Sequence, residues 1–220
     1  MIKACIFDLD GTLADTLVSI ATATNKALES VGCPPQPVED YRYYAGDGAR
    51  TLIQRALKAA GDKNGEKFDE TYRIYGEIFA KDCTFKVTVF EGMSQVLEQM
   101  KADGIRLAVL SNKPHERAKD VIRKLFGENL FDIVQGQVDG LPKKPDPSGA
   151  LKIMEDFGLT PKECMYIGDT NVDMQTGRSA GMYTVGVLWG FRDKKELLDN
   201  HAQALADQPR DLLKLAKKGR

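Results

Sequence analysis

The sequence predicts an α/β protein: a Rossmann-like, mostly parallel sheet with helices on both faces, carrying a small all-helical cap. Three observations predict it. From about residue 85 onward, apolar strand-like runs alternate with helical stretches, the rhythm of a parallel sheet wrapped by helices. Before that, residues 15–84 form a block of helical character after a single N-terminal strand. Finally, polar motifs stand directly after the strand-like runs, where sheets of this kind bind ligands. The expected division is therefore a core of residues 1–14 and 85–220, with a cap of residues 15–84 inserted after the first strand.

Taken in order, Ile2 and Ala4–Phe7, broken only by Lys3, form the first buried strand. Leu17-Val18, Ala21, Ala27-Leu28 and Val31 repeat with a helical period, and Gly32-Cys33-Pro34-Pro35-Gln36-Pro37 ends that helix. Residues 49–60 and 68–80 supply two more helices, separated by the polar Gly61-Asp62-Lys63-Asn64-Gly65. Residues 95–102 read as helix stopped by Gly104, and 105–110 as a strand with one arginine. Helix at 117–126, extended chain at 131–134 and helix at 148–157 follow. A strand at 164–167, a helix at 174–180 and a strand at 183–188 complete the pattern.

The first strand runs into Asp8-Leu9-Asp10-Gly11. Side chains two apart on a strand point the same way, and Gly11 allows a sharp turn that crowds both acids round one point. Like charges that close call for a cation between them or a retained proton. The spacing therefore suggests a hard metal, a proton-sharing pair, or both; a plain strand-to-turn exit is the alternative. A calcium loop of the EF-hand kind is set aside, because Thr12, Leu13 and Ser19 fall where its third acid, glycine and glutamate belong.

The strand ending at Leu110 leads into Ser111-Asn112-Lys113-Pro114. Proline suits the first turn of a helix, so a helix N-terminus is predicted here, with free N–H groups and a positive dipole for an anion. A simple N-cap by Ser111 or Asn112 is the structural alternative. Leu141-Pro142-Lys143-Lys144-Pro145-Asp146-Pro147 places a basic pair in a loop whose prolines restrict the backbone. One of those lysines can be aimed into a site, or both are simply solvated. The strand ending at Ile167 runs into Gly168-Asp169-Thr170-Asn171-Val172-Asp173. Thr170-x-x-Asp173 fits a capping box; capping leaves Asp169 unexplained, and helical spacing puts it on one face with Asp173.

Four carboxylates with oxygen-only neighbours and no paired histidines suit Mg²⁺, and the lysine and amide groups suit phosphate charge. Phosphoryl transfer is mainly positioning and charge neutralisation, and a carboxylate nucleophile can carry the phosphoryl group as an aspartyl-phosphate. Composition adds exclusions. The 31 Lys+Arg against 32 Asp+Glu, a formal net charge of -1, offer no field for nucleic acid or an anionic membrane. Cys5, Cys33, Cys83 and Cys164 are scattered, and His115 and His201 have no cysteine partners at zinc-binding spacing. With no signal peptide or transmembrane run, a cytoplasmic protein is expected.

In order along the chain, Asp8-x-Asp10-Gly11-Thr12, Ser111, Lys144-Pro145-x-Pro147 and Gly168-Asp169-Thr170-x-x-Asp173 resemble the four motifs of the haloacid dehalogenase superfamily. The helical block after the first motif resembles that family's small cap. The resemblance implies Asp8 as nucleophile and Asp10 as acid and then base. It implies phosphate contacts from Thr12, Ser111, the amide of Asn112, and Lys144. It also implies Mg²⁺ held by Asp8, the carbonyl of Asp10, and Asp169, with Asp173 on the metal or close behind it. The second acid separates the chain from true dehalogenases.

Gly46-Asp47-Gly48-Ala49-x-x-Leu52-Ile53-x-Arg55-Ala56-Leu57, together with the Ser111, Lys144 and Leu188-Trp189-Gly190-Phe191 segments, is similar to phosphoglycolate phosphatases. The implied activity is Mg²⁺-dependent hydrolysis of a small phosphorylated metabolite. A phosphomutase resembling β-phosphoglucomutase, or a pyrophosphatase or nucleotide phosphatase, is the alternative on the same core. Gly46 would belong to a cap loop closing over substrate, and Arg50 and Lys113 would be the cations nearest a substrate carboxylate. Trp189 reads as a core or domain-facing aromatic. Neither nucleic acid nor membrane is an expected partner, and monomer and homodimer both remain open.

Overall fold

The computed structural model describes residues 1–219. In chain order its strands and helices are β1 (Ala4–Phe7), β2 (Ala14–Asp15), α1 (Leu17–Ser30), α2 (Tyr41–Tyr44), α3 (Ala49–Ala59), α4 (Phe68–Asp82) and β3 (Thr88–Val89). Then follow α5 (Met93–Ala102), β4 (Arg106–Pro114), α6 (His115–Phe126), β5 (Ile133–Gln137), α7 (Ser148–Asp156), β6 (Cys164–Gly168) and α8 (Asn171–Ser179). The chain ends with β7 (Tyr183–Val187), α9 (Lys194–Asp199), β8 (Ala204–Ala206) and α10 (Asp211–Lys218).

Six strands make one parallel sheet in the order β5-β4-β1-β6-β7-β8. The chain leaves β1 toward β4 and β5, then returns to the other side of β1 with β6. That reversal is the point at which open α/β sheets form a ligand crevice. The period-two alternation of strands divides β1 between two cores. Cys5 and Phe7 pack with Met93, Leu97 and Val121 of α5 and α6, whereas Ala4 and Ile6 pack with Ala150 and Ile153 of α7. Both faces of the sheet are therefore covered, which is why β1 and β6 read as unbroken apolar runs.

Helices α1 to α4 form a block of their own, with α1 against α4 and α3 packed on both α2 and α4. Two features depart from the sequence reading. Helix does not begin at Asp15: Ala14–Asp15 is extended and pairs antiparallel with Thr88–Val89, so the chain's two crossings to the helical block lie side by side. Asp15 instead accepts a hydrogen bond from the Leu17 N–H through its side chain (3.2 Å), and the helix starts there. The second departure is that β4 runs on through Ser111, Asn112 and Lys113 to Pro114. Pro114 precedes the helix instead of occupying its first turn, and α6 starts at His115. Ser111 to Lys113 are thus an extended strand end, not the amide-rich start of a helix. The terminal α9, β8 and α10 lie beyond the elements predicted from sequence.

Candidate active site

Asp8 stands one residue past β1 and is fixed by two neighbours. Its N–H donates to the Ile167 carbonyl of β6 (2.9 Å), and its carboxylate accepts an ion pair from Lys144 Nζ (2.8 Å). The same ammonium lies 2.7 Å from Asp173 Oδ1. Asn112 holds the backbone of Lys144 from both sides, accepting from its N–H (2.9 Å) and donating to its carbonyl (3.0 Å). This side-chain clamp aims the lysine; the Lys144–Pro145 peptide within it is cis.

Asp169 follows β6 and is equally constrained. Thr12 Oγ1 donates to one of its oxygens (2.8 Å) and the Phe191 N–H to the other (2.7 Å). Thr12 therefore orients an acid in this arrangement. The space around Asp169 exists because two neighbours lack side chains. A Cβ on Gly11, whose φ is +87°, would lie 2.3 Å from Asp169 Oδ2, and one on Gly190 would lie 2.2 Å from the Asp169 Cβ. Trp189 donates its indole N–H to the Thr12 carbonyl (3.0 Å), bracing the turn after β1. Asp173 completes the capping box read from the sequence, with Oδ2 accepting from the Thr170 N–H and hydroxyl.

Asp8, Asp169 and Asp173 each offer one carboxylate oxygen, all within 4.8 Å of one another. All three are buried, with one ammonium between them. Burial, and next the charge of Asp173, push Asp8 well above the usual carboxylate range, only partly opposed by Lys144. Asp169 is raised to about 7, first by burial and then by Asp173, against the pull of the Phe191 N–H and Thr12. Burial on its own would lower the pKa of Lys144, but Asp173 and Asp8 hold it well above the ordinary lysine value. Three close oxygens with surplus negative charge and no nitrogen or sulfur donor fit a small hard divalent cation such as Mg²⁺.

A cleft opens beside these groups. Its sheet-side wall includes Asp8, Asp10 and Ser111, and its other wall consists of Leu52, Tyr75, Phe79 and the glycine loop at Gly46 and Gly48. Asp10 does not join the three-carboxylate group; its Oδ1 pairs with Lys113 Nζ at 2.8 Å. Gly46 lines the cleft, its carbonyl accepting from Asn112 Nδ2 (3.0 Å). Arg50 does not line it. Its guanidinium is exposed and lies over the rings of Phe68 and Tyr72, at 4.8 and 5.2 Å from their centroids. Sequence reasoning missed Tyr75 and Phe79; their spacing of four along a helix was the available signal.

Known proteins resemble this chain in sequence and in fold. A family model described as haloacid dehalogenase-like hydrolase matches residues 5–187. The chain is 32% identical to a phosphoglycolate phosphatase of Aquifex aeolicus, over 97% of this chain and 96% of that one. It is 30% identical to a phosphoglycolate phosphatase of Pseudomonas putida, covering 96% and 78%. A crystal structure of a predicted phosphoglycolate phosphatase from Haemophilus somnus superposes with a TM-score of 0.90 at 28% identity, covering 97% of each chain. The chain belongs to the haloacid dehalogenase-like hydrolase family.

Proposed function

We propose that this enzyme is a Mg²⁺-dependent phosphatase of small phosphate monoesters, working through an aspartyl-phosphate on Asp8, with phosphoglycolate its first expected substrate. The observation that carries the reading is the grouping of Asp8 with buried Lys144, Asp169 and Asp173 beside a cleft that Asp8 and Asp10 line. The names of the relatives support the substrate. Asp8, the carbonyl of Asp10, and Asp169 would hold the metal, with Asp173 beside them; when bound there, Mg²⁺ neutralises charge between the nucleophile and the substrate phosphate.

An Asp8 oxygen forms the new bond to phosphorus while the ester oxygen leaves, taking a proton from Asp10. Water then attacks the aspartyl-phosphate and gives a proton to Asp10, and phosphate departs with Asp8 restored. Ser111 and the Asn112 amide supply donors to phosphate oxygens, and Lys144 balances charge at Asp8 throughout. A cytoplasmic setting accords with four free cysteines, all buried. Among the described residues no helix is long and apolar enough to cross a membrane.

The test is phosphate release from a panel of esters, including phosphoglycolate, pyrophosphate, nucleotides and sugar phosphates, with Mg²⁺ and with chelator. Release from phosphoglycolate that stops in chelator is expected. Full activity in chelator would contradict the site, and isomerisation of a sugar bisphosphate without free phosphate would replace hydrolysis with mutase chemistry.

A further inference from the structure

We propose that Lys113 is a positioning residue for the acid–base carboxylate of Asp10, wedged in place by the cap, and not the receptor of a substrate carboxylate. This rests on the phosphatase reading above, which gives Asp10 its proton-transfer role. The side chain of Lys113 is 2% exposed, while that of Asp10 is 17% exposed toward the cleft. A buried ammonium is costly unless paired, and the partner here is Asp10 Oδ1 at 2.8 Å. A second side of the ammonium is filled by the Phe79 ring, whose centroid lies 4.7 Å away, within the range of a cation–π contact.

Phe79 is itself buried and stacks on Tyr75 at 5.0 Å and 18°. Both belong to α4, so a stiff aromatic pair from the cap presses the lysine toward the acid. At its base, Lys113 belongs to the extended end of β4, where its N–H donates to Ser111 Oγ (3.2 Å). The lysine is therefore held by the sheet at its backbone, by the cap along its ammonium, and by Asp10 at its tip. A cation so enclosed is engaged with the carboxylate it orients. Fixing that carboxylate relative to Asp8 is the positioning on which acid–base efficiency depends.

The experiment compares wild type, Lys113→Met, Lys113→Arg, Asp10→Asn and the Asp10→Asn/Lys113→Met double variant on phosphoglycolate. Steady-state kinetics serve the single lysine variants, and single turnover serves the cycle. Lys113→Met is expected to lower kcat about 10²-fold, the low end of acid–base contributions, with KM changed less than about threefold. Lys113→Arg is expected to regain a large part of that loss. In the Asp10→Asn background the lysine change is expected to cost less than about threefold more, since residues acting through one another are not additive.

A KM raised about tenfold with kcat kept, or losses that multiply in the double variant, would overturn the proposal in favour of a substrate-carboxylate receptor. Should circular dichroism show Lys113→Met unfolded, Phe79→Leu replaces it, with a smaller fall in kcat expected and a rise in KM alone overturning the proposal. A wild type that releases no phosphate removes the phosphatase reading itself, and this role with it. That failure is visible before any variant is made.

Discussion

The two walls of the cleft are held in different ways. On the sheet side, Asp8, Asp169, Asp173 and Lys144 are buried; Lys144 pairs with Asp8 and Asp173, and Asp169 accepts from Thr12 and the Phe191 N–H. On the side of the α1–α4 block, the loop at Ala45 to Asp47 presents three successive carbonyls to side chains around the sheet. Ala45 O accepts from Arg192 (3.1 Å), Gly46 O from Asn112 (3.0 Å) and Asp47 O from Lys143 (2.7 Å). Buried charges that compensate one another fail severely when one is removed, whereas single hydrogen bonds to a carbonyl contribute about 1 kcal/mol from a neutral donor and up to about 3 kcal/mol from a buried charged one. The comparison teaches that chemistry should be lost in large steps on one wall and substrate retention in small ones on the other.

The sharpest way to break that contrast is Asp8→Asn, which is expected to lower phosphate release on the order of 10⁴-fold or more, as loss of a covalent nucleophile does. Unchanged turnover in a phosphate assay would remove the sheet-side wall from the chemistry. Next, Lys144→Ala should cost roughly 2–5 kcal/mol in kcat/KM, the range for truncating a desolvated charge pair. Wild-type rates in that variant would transfer the role to Lys143 or another cation. Gly190→Ala adds a methyl group into the space of the Asp169 Cβ. Displacing a site group by about 1 Å costs on the order of 10²-fold, so a comparable fall in kcat is expected, together with weaker Mg²⁺ binding by titration calorimetry.

Smaller effects sharpen the comparison. The folded pKa of Asp169 is raised to about 7, so its contribution to stability is fully present below its unfolded pKa and is lost as pH rises through about 7. The metal-free protein should therefore lose stability between roughly pH 4 and pH 7 through this group. A cation that binds the carboxylate form should restore it, so the rise in Tm on adding Mg²⁺ is expected to be larger at pH 8 than at pH 5. A rise that is larger at pH 5 would contradict the assignment. Lys143→Ala, which removes the exposed donor to the Asp47 carbonyl, should raise KM no more than about fivefold, the equivalent of about 1 kcal/mol, with kcat kept. A large fall in kcat would show that the Lys143–Asp47 contact shapes the chemistry as well.

Much of the fold was legible because strands that are buried on both faces announce themselves as apolar runs, as β1 and β6 do. The terminal β8 and α9 were harder to read: Ala204–Ala206 is a three-residue edge strand and Lys194–Asp199 is a six-residue helix, each too short for periodicity to accumulate. The extension of β4 through Lys113 was hidden by Pro114, since proline before a helix favours the N1 position, and here it sits one residue earlier. Arg50 shows a different limit. It stands in a loop-and-helix segment near the cleft, yet the aromatic side chains of α4 draw its guanidinium away.

The sequence by itself determined which residues follow strands and turn sharply: the acids at Asp8, Asp10 and Asp169, the capping box at Thr170 and Asp173, and a proline-bound lysine at Lys144. These are local matters of side-chain period, backbone freedom and capping, and they are written in consecutive residues. Tertiary structure alone decided the partners. Lys113 meets Asp10 from 103 residues away, Thr12 meets Asp169 from 157, and Asn112 joins the cap loop to the Lys144 loop. A side chain's partner depends on which elements pack against it, and that choice is made by burial of the whole core.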